Sequence, residues 1–117
     1  MKNHLDQATI KTADQSLSTV VDRLVTAFHP EEIYLFGSRA RGDGRADSDY
    51  DLMLIMPDDS ASELLDPRTA CKILSGTGVA ADVLIWRRSS FNRRLHLRAS
   101  LPATIKSEGK IVYAARS

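Results

Sequence analysis

A chain of 117 residues with 43% hydrophobic and 26% charged content has the balance of a globular protein. Its length is expected to give one domain, residues 1–117, with a modest core and no room for a second. A net charge of +1 excludes a general pull toward nucleic acid or acidic membranes, and no run approaches the roughly 20 apolar residues that span a bilayer.

Met1-Lys2-Asn3-His4-Leu5-Asp6-Gln7 is polar and lacks the apolar segment of a signal peptide. Cys71 is the single cysteine and cannot form an internal disulfide, so a reducing, cytoplasmic setting is expected. Residues 1–12 read as a loose lead-in. From Leu17 the apolar positions Leu17, Val20, Val21, Leu24, Val25 and Phe28 recur at helical spacing and predict one buried stripe, ended by Pro30. Ile33-Tyr34-Leu35-Phe36 predicts the first strand. Residues 37–42 predict a tight turn opening a short helix, and residues 43–48 a polar loop. Residues 50–56 predict a second strand, closed by Pro57-Asp58-Asp59.

Asp66-Pro67 has the form of a helix start, with the aspartate capping and proline in the first turn, and Gly76 is a natural stop. On that helix Cys71 falls among Ala70, Ile73 and Leu74 and is expected to pack in the core. Residues 79–86 predict a third strand, residues 89–98 and 100–108 two further helices, and residues 111–114 a short edge strand. The expected fold class is α/β (α+β): a small mixed β-sheet with helices packed against it, covered on at least one face. The basic run Arg87, Arg88, Arg93, Arg94 and Arg98 is expected to be a solvated helix face; it carries no interleaved aromatics for stacking nucleic acid. His4, His29 and His96 are too scattered to suggest a ligand set.

The chemistry concentrates between residues 37 and 51, Gly-Ser-Arg-Ala-Arg-Gly-Asp-Gly-Arg-Ala-Asp-Ser-Asp-Tyr-Asp. Alternate side chains of a strand share a face, so Asp49 and Asp51 project together from the start of an apolar strand. Two carboxylates side by side repel each other unless a cation neutralises them, and a divalent metal is the simplest explanation. Asp82 is a third carboxylate, set between Ala81 and Val83; it would be expensive to bury unpaired, unless it sits at an exposed strand end. Strand alternation puts Asp82, Leu84 and Trp86 on one face. Gly37 lets a backbone approach a phosphate closely, and the free amides of the helix that follows suit an anion. The Ser38 hydroxyl can bond a phosphate oxygen, with Arg39 and Arg41 near enough to assist. No Gly-Lys-Ser/Thr follows, so this is not a Walker loop, and Gly42-Asp43-Gly44 does not extend to a dinucleotide fingerprint.

Gly37-Ser38, ten intervening residues and Asp49-Tyr50-Asp51, with Ala40-Arg41-Gly42 and the later Asp82, resemble the minimal nucleotidyltransferases of the polymerase-beta superfamily. Glu108-Gly109-Lys110-Ile111-Val112-Tyr113 fits the same group, and the resemblance spans residues 17–114. It implies the nucleotidyltransferase fold and an enzyme that uses ATP and Mg²⁺, with two ions bound. Asp49, Asp51 and Asp82 would be the catalytic metal ligands, and Gly37, Ser38 and Arg41 would bind the nucleotide.

Small free-standing members of this group resemble the antitoxin half of toxin–antitoxin modules. The resemblance then implies a helical HEPN-type toxin as partner and transfer of AMP to one of its hydroxyls, a tyrosine. A chain this short has no acceptor-binding domain, so the acceptor is expected on a partner chain or a second copy. Two alternatives remain open at this point. One is an antitoxin that neutralises its partner by contact without catalysis. The other is a small-molecule, antibiotic-type nucleotidyltransferase core.

Overall fold

The buried stripe expected from Leu17 is the inner face of α1, Gln15–Phe28, whose Leu17, Val20, Val21, Leu24, Val25 and Phe28 are all buried. A computed structural model of the chain describes residues 8–10, 14–42 and 49–115. The polar loop expected over 43–48, and residues 1–7, 11 and 12 of the expected lead-in, lie outside the described residues. Asp14 caps α1, accepting a bond from the Leu17 amide at 3.2 Å. His29, in the left-handed conformation at φ 53°, closes the helix by donating its amide to the Val25 carbonyl, one residue before the expected stop at Pro30.

β2, Glu32–Phe36, leads through Gly37 into the short α2, Ser38–Arg41, and β3 is Tyr50–Met56. After a 3₁₀ turn at Ser62–Leu65 comes α3, Pro67–Leu74, with Asp66 capping as expected: its carboxylate accepts the Arg68 amide at 2.9 Å. β4, Ala81–Arg87, runs directly into α4, Arg88–Arg93, and α5, Leu101–Glu108, precedes β5, Lys110–Ala115.

The five-stranded sheet has the order β1–β5–β2–β3–β4, where β1 is Ala8–Ile10. β3 and β4 run parallel; the other pairs are antiparallel. Two expectations are corrected here. Residues 8–10 are not a loose lead-in but a strand paired with β5, and β5 is therefore interior, between β1 and β2, rather than an edge. Three residues without an apolar run carry little sequence signal; only the unpaired backbone of β5 requires them.

Both faces of the sheet are covered. One carries α1 and α3 against Ile33, Leu35, Leu52, Leu54, Met56 and Ile85. On the other, Phe91 and Ile105 from α4 and α5 pack on Tyr34, Met53 and Ile55. The Tyr34 and Phe91 rings stack with centroids 6.0 Å apart, and Lys106 Nζ donates to the Tyr34 hydroxyl at 3.3 Å. This two-sided burial explains why β3 is apolar at every position from Leu52 to Met56.

Three further expectations change. The helix expected over 89–98 stops at Arg93, and residues 94–100 form turns. Arg88 is not solvated: it bonds Glu31 and Glu32, each at 2.8 Å, and so ties the start of α4 to the start of β2. Cys71 is exposed, because the buried stripe of α3 runs through Ala70 and Leu74, one turn apart, and leaves Cys71 beside it. Among the described residues no helix is long and apolar enough to cross a membrane.

The second face rests on Phe91, which has 0% exposure. Phe91→Ala should lower unfolding free energy by about 3–5 kcal/mol in urea denaturation. Leu97→Ala, at a residue 47% exposed, should stay within about 0.5 kcal/mol of the parent.

Candidate active site

In the sheet register, Phe36 on β2 stands opposite Asp51 on β3, which stands opposite Asp82 on β4. Paired residues on neighbouring strands share a face, so these three side chains form a row across the sheet, on the side covered further along by α4 and α5. Asp49 precedes β3 by one residue, and it joins Phe36, Asp51 and Asp82 in lining a cleft of about 700 Å³. The alternation expected for Asp82, Leu84 and Trp86 holds, since Leu84 and Trp86 pack on the α4–α5 side.

Asp82 itself is exposed near the start of β4, so of the two readings the exposed strand end holds and burial does not call for a partner. The strained group is Asp51. Burial first, then the negative charges of Asp82 and Asp49, push its carboxyl above the usual range, against a smaller opposing pull from Arg41.

Gly37 fixes where that carboxylate lies. The chain leaves β2 with Gly37 at φ 76°, a left-handed value that favours glycine. Any β-carbon there would be driven into Asp51 Oδ2 and would lie 3.2 Å from Asp51 Cγ. The backbone of the Gly37-Ser38 turn is therefore laid directly against the central carboxylate of the row. The Ala40 and Arg41 amides both donate to the Gly37 carbonyl at 3.1 Å, closing the single turn of α2.

Ser38 opens α2 half-exposed, and Arg41 is exposed at its end. Gly37, Ser38 and Arg41 border the cleft through Phe36 rather than line it. The structure thus places the three carboxylates on one cleft and Gly37 close to Asp51, with Ser38 and Arg41 at the periphery. Among the described residues no three His, Cys, Asp or Glu side chains are already drawn together at metal-binding positions. The donor set nevertheless suits a hard cation that keeps several waters: three carboxylates in one cleft, one of them penalised by the other two.

One constellation was missed from the sequence. The Tyr50 hydroxyl donates to Asp14 Oδ2 at 2.7 Å, and the Arg39 guanidinium sits 4.2 Å over the Tyr50 ring. The bond from Tyr50 holds the Asp14 carboxyl below its ordinary range, while burial and then Asp14 push the Tyr50 hydroxyl up. A signal for Asp14 existed: an aspartate three residues ahead of the first apolar position is a helix-start mark. Nothing in the sequence pointed to its pairing with Tyr50.

Residues 17–112 match the nucleotidyltransferase domain family, and the chain belongs to it. The fold is similar to that of a candidate nucleotidyltransferase from Sulfolobus solfataricus, at TM-score 0.55 and 20% identity, over 83% of this chain and 76% of that one. It is also similar to a toxin–antitoxin structure solved with AMP-PNP, at TM-score 0.53 and 19% identity, over 83% and 73%. At such identities the likeness is one of fold. No curated protein matches the chain.

Because the folded state raises the Asp51 pKa, the native protein holds this proton more tightly than the unfolded chain does. Its charge therefore destabilises the fold above that raised pKa, and the penalty fades as pH falls toward the unfolded value of about 4. In the presence of EDTA at pH 7, Asp51→Asn should melt at a higher temperature than the parent, and the gap should close on acidification to about pH 4. A lower melting temperature at pH 7 would contradict the repulsion.

Proposed function

We propose that the chain transfers AMP from ATP to a hydroxyl of a partner protein, a tyrosine of a helical HEPN-type toxin, and acts as that toxin's antitoxin. The observation that carries the catalytic part is the placement of the Gly37-Ser38 turn against Asp51 within the row that ends at Asp82. The similarity to a toxin–antitoxin structure solved with AMP-PNP supports the choice of nucleotide and partner.

In this reading Ser38 and the cations Arg39 and Arg41 receive the β- and γ-phosphates, with the glycine giving their oxygens access to the backbone. Asp49, Asp51 and Asp82 hold the divalent cation, Mg²⁺ by its preference for oxygen ligands, in one or two sites. Bound there, the cation supplies charge to the phosphate oxygens and lowers the pKa of the acceptor hydroxyl. The acceptor oxygen forms a bond to the α-phosphorus, and the bond from that phosphorus to the bridging oxygen breaks. Pyrophosphate leaves with the electron pair, and the acceptor proton passes to the Asp82 carboxylate and on to water. The chain's own part is chiefly positioning and charge placement, as phosphoryl transfer demands. An AMP group on the toxin adds bulk and negative charge, which would repel an RNA backbone from its site.

Transfer of label from α-labelled ATP to the toxin should fall at least about 100-fold in Asp49→Asn/Asp51→Asn. The parent should protect the toxin's target in sub-stoichiometric amounts when ATP is present. Protection by the double variant at a one-to-one ratio, independent of ATP, would instead establish neutralisation by contact. Binding of the cation has its own readout: Mg²⁺ should raise the melting temperature of the parent in a concentration-dependent way and leave that of the double variant unchanged.

A further inference from the structure

α2 cannot hold itself in place. It is a single turn of four residues, its N-cap Gly37 has no side chain to bond the first amides, and so short a helix is unstable alone. Two contacts reach it from β3, one on each face of the sheet. On the Asp51 side the Gly37 backbone lies close to the carboxylate. That contact depends on a missing β-carbon, so it allows the approach rather than drives it. On the Tyr50 side the contact is attractive: the Arg39 guanidinium lies 4.2 Å over the ring centroid.

The ring is itself fixed. Its hydroxyl donates to Asp14 Oδ2 at 2.7 Å, while Asp14 Oδ1 accepts the Leu17 amide at 3.2 Å, so one carboxylate binds α1 and Tyr50 at once. Tyr50 is buried in the cluster that α1 covers. A buried ring tethered at its hydroxyl presents one face to the turn. Arg39 and Arg41 stand two positions apart on α2, so they point to different sides. Their charges divide accordingly: that of Arg41 acts on Asp51, and that of Arg39 on Asp14 and Tyr50. Arg39 is half-buried, whereas Arg41 is exposed. The two arginines are not equivalent.

We propose that Tyr50 is a positioning residue: braced by Asp14, its ring carries the Arg39 guanidinium and so keeps the Gly37-Ser38 turn where a nucleotide's phosphates are received. The transfer reading gives Arg39 a charge for those phosphates. The stack gives it a second task, which needs the planar guanidinium and which a lysine, a compact ammonium on a flexible stem, performs poorly. The nucleotide half of this proposal rests on the transfer reading, but the order of the turn is a property of the free protein.

Amide exchange followed by NMR, without nucleotide, reads the turn through the Ala40 and Arg41 amides that donate to the Gly37 carbonyl. Arg39→Lys should speed their exchange about tenfold and leave that of Leu24 and Val25 in α1 unchanged. Affinity for AMP-PNP with Mg²⁺, by calorimetric titration, should fall about tenfold in Arg39→Lys and in Tyr50→Leu. It should fall no further in the double variant, because both changes remove the same contact. Tyr50→Phe keeps the ring but not the bond to Asp14, and should lose only about threefold. It takes the place of Tyr50→Leu in the comparison if the latter does not fold.

Unchanged exchange in Arg39→Lys would overturn the proposal whatever the affinity, by making Arg39 a phosphate ligand or a bystander. Losses that multiply in the double variant, to about a hundredfold, would overturn it too, since the two residues would then act separately. Faster exchange in Arg39→Lys with no AMP-PNP binding by the parent would uphold the stack's hold on the turn and sink the transfer reading.

Discussion

The contact between the Gly37 backbone and the Asp51 carboxylate sets the geometry on which the remainder of the site depends. It joins two elements that sequence places fourteen residues apart, the exit of β2 and the entry of β3, at their shared end of the sheet. No side chain of the turn intervenes, so the Asp51 carboxylate can lie close against the Gly37 backbone. The left-handed φ and the missing β-carbon are both required, and glycine alone meets both requirements. With that contact in place, antiparallel pairing of β2 with β3 and parallel pairing of β3 with β4 determine where Phe36 and Asp82 must lie.

Strand alternation then divides neighbouring residues between two tasks. Asp51 faces the cleft, while Tyr50, next in the chain, turns to the other face and bonds the cap of α1. Arg39 lies on the Tyr50 ring, so the helix that begins at Ser38 is braced from below by a residue of the Asp-Tyr-Asp segment itself. The position of the turn is thus held from both sides of β3. The tyrosine that separates the two aspartates is no spacer; it links the Gly37-Ser38 turn, through Arg39, to α1, the longest helix among the described residues.

The parts that were legible in the sequence share a property: their signal is local. The stripe of α1, the apolar run of β3, the Asp66-Pro67 start and the Gly-Ser and Asp-x-Asp spacing each lie within one element or its flanks. What escaped depended on pairing across the sheet. Residues 8–10 are a strand because they pair with β5, and Arg88 is bound because Glu31, just before β2, and Glu32, its first residue, lie nearby. Cys71 is exposed because α3 turns a narrower face inward than its composition implies. The exposure of Asp82 is the most instructive case. A carboxylate within an apolar strand reads as buried, yet Asp82 occupies the second position of the sheet's edge strand, where the cleft opens.

That exposure alters the physical case for a cation at the site. The demand comes not from three buried charges but from one half-buried charge beside two solvated ones, with Asp51 carrying the penalty. Such an arrangement is tolerable without an ion, because water screens Asp49 and Asp82, and it improves when one arrives. A fully buried triad would need the ion in order to fold and would release it reluctantly. An open row with a single strained member is one that the surrounding fold can bear. The repulsion is confined to one end of β3, and the five residues from Leu52 to Met56 behind it are buried between two packed faces.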